Sequence, residues 1–164
     1  MTWRSVWPTR TRFALCGRRH VGTEHSTQKP YNRLVVLHDG VVWAGYDKHF
    51  LPNYGVFDEF RIFASGDRSV TMDIDGVRLG FAICEDIWQE GGPVADFAER
   101  NIDVLVTING SPYEEGKTDT RLQLCRRRAA GGRAPVIYVN QVGGQDDLVI
   151  RRRHFRCGCG WHVA

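Results

Sequence analysis

The segment Gly80-Phe-Ala-Ile-Cys-Glu-Asp-Ile-Trp88 joins a strand-like stretch to a polar turn. The largely apolar run from Val77 to Ile83 predicts a short buried strand. Cys84 ends that run and two acids follow it, so the thiol would be rigid on one side and open on the other, as a nucleophile requires. The alternative is a small residue that merely closes a strand, because free cysteine is among the most buried residue types.

Length and composition indicate one globular domain. A chain of 164 residues can bury a single good core. It has no apolar run near the roughly 20 residues that span a bilayer, and no secretory signal pattern. The five cysteines, at positions 16, 84, 125, 157 and 159, are too irregular for a disulfide framework. We therefore expect a reducing, cytoplasmic setting and no membrane partner.

The net charge of +3 is unevenly distributed. Residues 1–30 hold six basic residues against one acid, and residues 151–164 hold four arginines and no acid. Residues 31–150 hold 12 basic and 18 acidic residues. An acidic middle argues against a surface for phosphates, so no nucleic-acid partner is expected.

The middle of the chain alternates hairpins with strand–helix units. Asp-Gly pairs at 39–40 and 75–76 predict tight turns between strands. Pro93 and the Gly131-Gly132 pair mark a helix start and a helix end. The predicted elements are hairpins over 34–46 and 70–83, strands over 104–108 and 135–139, and helices over 93–98 and 118–130. This order predicts a mixed sheet covered by helices.

Polar clusters follow these strands at Lys48, at Cys84-Glu85-Asp86 and between Asn109 and Lys117. Clusters at strand ends commonly build a site, although solvated loops give the same pattern. Two of the chain's three lysines fall in these clusters, while arginine is used almost everywhere else. Lysine can carry a proton near neutral pH and arginine cannot, which favours a functional role.

Four blocks of sequence resemble the nitrilase superfamily of carbon–nitrogen hydrolases, and within it the glutamine-hydrolysing domains of glutamine-dependent NAD synthetases. The blocks are Asp47-Lys-His-Phe-Leu-Pro-Asn-Tyr-Gly-Val-Phe-Asp-Glu59, Ile83-Cys-Glu-Asp-Ile-Trp88, Asn109-Gly-Ser-Pro-Tyr113 and Tyr138-Val-Asn-Gln-Val-Gly-Gly-Gln-Asp146. Their order and number make the resemblance specific. It implies an α/β fold, the α-β-β-α sandwich, incomplete at both ends of this chain.

The resemblance also implies a role for each matching residue. Cys84 would attack the side-chain amide of L-glutamine to form a thioester and release ammonia for NAD synthesis, and Lys48 would stabilise the oxyanion. The nearby ammonium would also lower the thiol pKa. The remaining matches are Tyr54, Ser111 and Lys117, which would hold glutamine, and Glu59, a supporting acid near the lysine. Among the cysteines only Cys84 is expected to be nucleophilic.

The resemblance implies partners and cofactors as well. The intact family forms homo-oligomers with a synthetase domain, to which ATP and magnesium would belong. No cofactor or metal is expected in this segment. Cys157, Cys159 and His162 could be read as zinc ligands, but Cys-x-Cys is tighter than the usual spacing.

The ends of the chain depart from the family. Residues 1–30 match nothing, and the glutamate that activates the family's nucleophile is missing there, which typically costs about 10²–10⁴ in rate. We expect residues 31–150 to form a partial, inactive glutaminase domain. Residues 1–30 are predicted to be disordered or frame-shifted. The abrupt change to Arg, Cys and Gly predicts a reading-frame slip over 151–164.

Two other functions remain open. A stand-alone amidase of the same superfamily would act on a small amide without a synthetase partner. A non-catalytic interaction module would retain the sheet but not the chemistry; the missing glutamate favours it, while Cys84 and Lys48 argue against it.

Overall fold

The computed structural model describes residues 13–20, 29–152 and 154–158, and its described strands form three sheets. The strands are β1 Phe13–His20, β2 Tyr31–His38, β3 Val41–Asp47, β4 Thr71–Ile74, β5 Val77–Ile83, β6 Val104–Asn109, β7 Val136–Asn140, β8 Gly143–Gln145, β9 Leu148–Ile150 and β10 Phe155–Cys157. The helices are α1 Glu59–Ile62, α2 Gly92–Glu99 and α3 Lys117–Gly132. None of these helices is long and apolar enough to cross a bilayer.

The largest sheet runs in the order β10-β7-β6-β5-β4. Its three central strands, β5, β6 and β7, are parallel, whereas both edge strands are antiparallel to their neighbours. Ile83 pairs with Ile108, and Asn109 pairs with Asn140. The residues that follow these three strands therefore meet at one edge of the sheet, where α/β folds usually place a site.

The second sheet contains β1, β2 and β3 in antiparallel order. Both predicted hairpins are present, and each turns at its Asp-Gly pair. Asp39 and Gly40 have φ of 48° and 82°, and Asp75 and Gly76 have φ of 50° and 80°. Positive φ at both central residues is what a two-residue turn between twisted strands requires.

Two apolar clusters make the core. One contains Leu34 and Val36 of β2 with Phe81 and Val106, so it lies between the two sheets. The other packs Phe97 and Leu124 of the helices on the opposite face of the large sheet. The layers are therefore sheet, sheet and helix, which confirms the predicted α/β sandwich with a central mixed sheet.

Two strands lie in the terminal segments, where the sequence predicts none. β1 falls within residues 1–30 and pairs with β2 along its whole length, from Phe13 opposite His38 to His20 opposite Tyr31. The sequence of β1 does not alternate apolar and polar residues, but a strand can be specified by the neighbour with which it pairs. The prediction that residues 1–30 are disordered is thus wrong for Phe13–His20, whereas the frame shift there stays a prediction. The rest of residues 1–30, including Glu24, lies outside the described residues, apart from positions 29 and 30.

The C-terminal segment also joins the fold. β10 pairs with β7, Phe155 stacks on Tyr138 with ring centroids 4.6 Å apart, and Cys157 is buried. Aromatic stacking and burial of this kind attach β10 to the core. The sequence pattern of residues 151–164 predicts no strand, so β10 is specified by its pairing with β7. Cys159 and His162 lie outside the described residues, and the reading-frame slip stays a prediction.

Candidate active site

Cys84 lies where β5 ends and a single 3-10 turn, Cys84–Ile87, begins. Its φ is +45°, in the left-handed region that non-glycine residues rarely adopt. Strained backbone of this kind costs of order 1–3 kcal/mol and is found preferentially at functional sites. The turn holds the thiol at the sheet edge, at the strand–turn junction that the sequence predicts.

Cys84 opens into a cavity of about 390 Å³. The cavity lies beside the ends of β5, β6 and β7, and Ile83, Ile108, Val139 and Phe57 form its apolar walls. Its polar lining residues are Asn32, Lys48, Glu59, Cys84, Asn109 and Gln141. Three predicted site residues, Cys84, Lys48 and Glu59, are therefore brought together. A concave site in which polar groups converge between apolar walls is the usual form of a substrate site.

Lys48 and Glu59 form an ion pair in this cavity. The Lys48 side chain is 1% exposed, and its Nζ donates to Glu59 Oε1 at 2.7 Å. Asn32 Nδ2 donates to the other carboxylate oxygen at 3.2 Å, and the Lys48 backbone N–H donates to the Asn32 carbonyl at 2.9 Å. The ammonium is thus fixed in place by β2, β3 and the start of α1.

The charges around Cys84 act on its thiol in opposite directions. Burial raises the pKa of Cys84 above its ordinary value, and the Glu59 and Glu85 carboxylates add to the increase. The Lys48 ammonium and a hydrogen bond with the Gly110 backbone lower it. The Lys48 ammonium therefore acts on the thiol in the predicted direction, but burial outweighs it and the pKa of Cys84 lies above its ordinary value.

Tyr54 contacts the carboxylate next to the nucleophile and does not line the described part of the cavity. Its hydroxyl donates to Glu85 Oε2 at 2.7 Å, and Gln89 Nε2 donates to the other oxygen at 2.5 Å. Desolvation and the Glu85 carboxylate raise the pKa of the Tyr54 hydroxyl. More than half of the Tyr54 side chain is exposed to solvent. Its role in holding a substrate stays a prediction.

Ser111 and Lys117 also lie outside the cavity lining of the described residues. The buried Ser111 hydroxyl accepts from Arg121 Nη2 at 2.8 Å, and its backbone N–H donates to Asn140 Oδ1 at 2.9 Å. Lys117 begins α3 and pairs with Glu114, three residues earlier. Because neither side chain is among the residues that line the cavity, their substrate roles likewise stay predictions.

Sequence reasoning missed several lining residues. Asn32 is on β2, far along the chain from every recognised block. Gly110 and Gln141 follow the paired residues Asn109 and Asn140 at the ends of β6 and β7, and the Gln141 N–H donates to the Asn109 carbonyl at 2.8 Å. A Cβ on Gly110 would lie 3.1 Å from Gln141 Nε2. Polar residues in register at the ends of two parallel strands are a signal that could have identified Gln141.

Comparison with known proteins gives a consistent match. The carbon–nitrogen hydrolase family model matches residues 12–153. A glutamine-dependent NAD(+) synthetase from Aquifex aeolicus is 42% identical over 123 residues, which is 75% of this chain and 22% of that protein. The chain thus spans about a fifth of the length of the relatives it matches.

Solved structures show the same likeness. Glutamine-dependent NAD+ synthetase from Acinetobacter baumannii superimposes with a TM-score of 0.84 at 37% identity, over 92% of this chain and 28% of that one. A mutant Nesterenkonia AN1 amidase of the nitrilase superfamily superimposes with a TM-score of 0.73 at 18% identity, over 89% of this chain and 53% of that one. The second likeness concerns the fold alone.

Proposed function

The chain belongs to the carbon–nitrogen hydrolase family, and we propose that its cavity is a glutamine amide-hydrolysis site in which Cys84 is the nucleophile. The observation that supports this most directly is the shared cavity of Cys84 and the Lys48–Glu59 ion pair. A thiol and a fixed ammonium are the two groups that acyl transfer from an amide needs first, one to attack and one to stabilise charge.

The proposed first step transfers the acyl group to sulfur. Cys84 Sγ bonds to the side-chain amide carbon, and the carbonyl oxygen becomes an oxyanion that the Lys48 ammonium stabilises. The carbon–nitrogen bond then breaks, and nitrogen takes the proton released by the thiol and leaves as ammonia. Water cleaves the thioester, which gives glutamate and restores the thiol.

Proton transfer limits the rate in this proposal. Because burial raises the pKa of Cys84, the thiol is protonated near neutral pH and needs a base. Among the lining residues in the described ranges, Glu59 is the one carboxylate, and both its oxygens already accept from Lys48 and Asn32. We therefore propose that this chain hydrolyses glutamine slowly, by a factor of about 10²–10⁴ relative to a site with a free base.

The wider role follows from the relatives. Since the relatives from Aquifex aeolicus and Acinetobacter baumannii are glutamine-dependent NAD(+) synthetases, we propose that the ammonia serves NAD synthesis in a protein that also has a synthetase domain. Assembly into homo-oligomers, which the family resemblance implies, is proposed on that resemblance alone.

A glutamine-like diazoketone tests the proposal. The full chain is treated with the reagent, and the Cys84 peptide is analysed by mass spectrometry, with Cys125→Ala and Cys84→Ala as matched variants. We expect one adduct, retained in Cys125→Ala and absent from Cys84→Ala, with L-glutamine protecting better than propionamide. Equal protection by propionamide would indicate a small-amide amidase instead.

The same experiment addresses the non-catalytic alternative. The occupied carboxylate of Glu59 and the raised pKa of Cys84 are the observations that favour it. A chain that is folded by circular dichroism, yet leaves Cys84 unmodified by the diazoketone, would support an interaction module and overturn the hydrolase proposal.

A further inference from the structure

Asp86 connects the two segments that carry the proposed catalytic groups. Its Oδ1 accepts from the backbone N–H groups of His49 at 3.2 Å and Phe50 at 2.9 Å, and these residues directly follow Lys48. Its Oδ2 accepts from the N–H of Ile83, directly before Cys84, at 2.9 Å. One carboxylate therefore joins the chain on either side of the cavity.

The hydroxyl of Tyr46 completes this arrangement. It donates to Asp86 Oδ2 at 2.7 Å from β3, two residues before Lys48. Both side chains are almost fully buried, with 1% of Tyr46 and 0% of Asp86 exposed. All four contacts of Asp86 come from donors, so an ionised carboxylate satisfies every one of them.

Burial raises the pKa of the Asp86 carboxyl above its ordinary value, and the donors around it offset only part of that rise. The Phe50 N–H, the Tyr46 hydroxyl and the Lys48 ammonium are among the groups that lower the pKa. A carboxylate in such a site gives short, directional hydrogen bonds that neutral side chains cannot match. Replacing Asp86 would remove an acceptor from the backbone after Lys48, from the backbone before Cys84, or from both, and would loosen the segment that loses it.

We infer that Asp86 is a positioning residue that sets Lys48 against Cys84, by tying the backbone after Lys48 to the backbone before Cys84 through one buried carboxylate. The inference rests on the proposed function, in which the ammonium must lie beside the thiol and the oxyanion. Small displacements of such groups are costly, because electrostatic stabilisation depends on fixed geometry.

The pH dependence of Cys84 alkylation distinguishes positioning from other roles of Asp86. Lys48, Glu59 and Glu85 are the charged groups that act on this thiol. If Lys48 moves away, the Cys84 pKa rises. If the Asp86 charge acted directly on the thiol, its removal would lower the pKa, because a nearby negative charge disfavours the thiolate. A purely structural role would leave the pKa unchanged.

The experiment measures iodoacetamide modification of Cys84 by mass spectrometry across pH in the full chain. The variants are Asp86→Asn, which replaces one acceptor oxygen by a donor, and Asp86→Glu, which retains the charge but lengthens the side chain. Val136→Ala is the matched control, since Val136 is buried on β7 and lies away from the cavity lining. Thermal unfolding of each variant identifies the pH range in which it is folded.

We expect the midpoint of the alkylation profile to rise by about one pH unit in both Asp86 variants. In Val136→Ala it should equal the parent value despite lower stability. An unchanged or lowered midpoint in Asp86→Glu, the variant that retains the charge, would overturn the inference. If Asp86→Asn does not fold, Asp86→Glu alone decides. Because iodoacetamide needs no substrate site, this result stands whether or not the diazoketone labels the parent.

Discussion

Lys48 Nζ lies 2.7 Å from Glu59 Oε1, and the lysine side chain is 1% exposed while the glutamate side chain is 21% exposed. Among the described residues, the buried ammonium forms its ion pair with Glu59 alone, and it lies beside the Cys84 thiol. A buried charge that loses its partner is strongly destabilising. The pair thus couples the stability of the fold to the electrostatics of the site.

Lys48→Met should slow the reaction of Cys84 with iodoacetamide at neutral pH. The Lys48 ammonium lowers the pKa of the thiol, so its removal decreases the thiolate fraction, by about tenfold for one pKa unit. Lys29→Met is the matched control, because Lys29 is exposed and donates to the Phe60 carbonyl away from the cavity. Alkylation by mass spectrometry gives the rates, and equal rates in both variants would show that Lys48 does not act on the thiol.

Glu59→Gln should have the opposite effect on the thiol. The Glu59 carboxylate raises the pKa of Cys84 and neutralises Lys48, so the amide should shift the alkylation profile to lower pH. The amide oxygen can still accept from Lys48, so the loss in the free energy of unfolding should be about 1–3 kcal/mol. Glu114→Gln, at an exposed ion pair with Lys117, is the control and should leave the profile unchanged. A shift to higher pH in Glu59→Gln would contradict the assigned charges.

The strand-end site could be predicted from the sequence because local signals agree there. The Asp-Gly pairs form the turns of both hairpins. Pro93 is the second residue of α2, which begins at Gly92, and the apolar run of β5 places Cys84 at the end of that strand. Each signal acts over a few residues, so no knowledge of distant contacts is needed.

The remaining features depend on tertiary contacts that sequence patterns do not specify. Asn32 reaches the cavity only because β2 and β3 pair, with Arg33 opposite Asp47. β1 is determined by its pairing with β2, and β10 by its pairing with β7. Lys117 comes after β6 in the chain, but its side chain forms an ion pair with Glu114, three residues earlier. Position after a strand thus indicates a sheet edge but not where a side chain points.

Asn140→Ala should destabilise the loop that follows β6. The Asn140 side chain is 1% exposed, accepts from the Ser111 N–H at 2.9 Å and donates to the Ser111 and Arg151 carbonyls at 3.1 Å each. Losing it leaves buried backbone groups unsatisfied, at a cost of about 1–3 kcal/mol. Urea unfolding measures the change. Asn53→Ala, at an exposed position, should remain within about 0.5 kcal/mol of the parent.

Iodoacetamide at mildly alkaline pH should modify Cys84 before Cys125 in the folded chain. Cys84 lines the cavity, whereas Cys125 is fully buried within the helix-side core. Burial raises the pKa of both thiols, that of Cys125 to about 12, so the predicted order rests on the access that the cavity gives to Cys84. Peptide mapping during the time course measures both rates. Faster labelling of Cys125, with the far-ultraviolet circular dichroism spectrum unchanged, would show that the nucleophile is assigned to the wrong cysteine.

The stability of the fold should fall as pH rises from about 9 to about 12, and Cys125 should account for part of the slope. Burial, then the adjacent Cys157 thiol, raise the pKa of Cys125 from 9.0 to about 12. The unfolded chain therefore loses this proton at lower pH than the folded chain, so the contribution is complete below pH 9 and decreases above it. The largest slope for one such group is about 1.4 kcal/mol per pH unit.

Cys125→Ala should make this alkaline slope shallower, although the cavity it creates lowers stability at neutral pH. Val136→Ala separates the two effects, because it also removes buried volume from the same core cluster but titrates nothing. Urea unfolding at a series of pH values between 8 and 11 gives the slopes. The plot of unfolding free energy against pH for Val136→Ala should be parallel to that of the unmodified chain and lie below it. If Cys125→Ala runs parallel as well, the Cys125 thiol has the same pKa in the folded and unfolded chains, and its burial beside Cys157 carries no electrostatic cost.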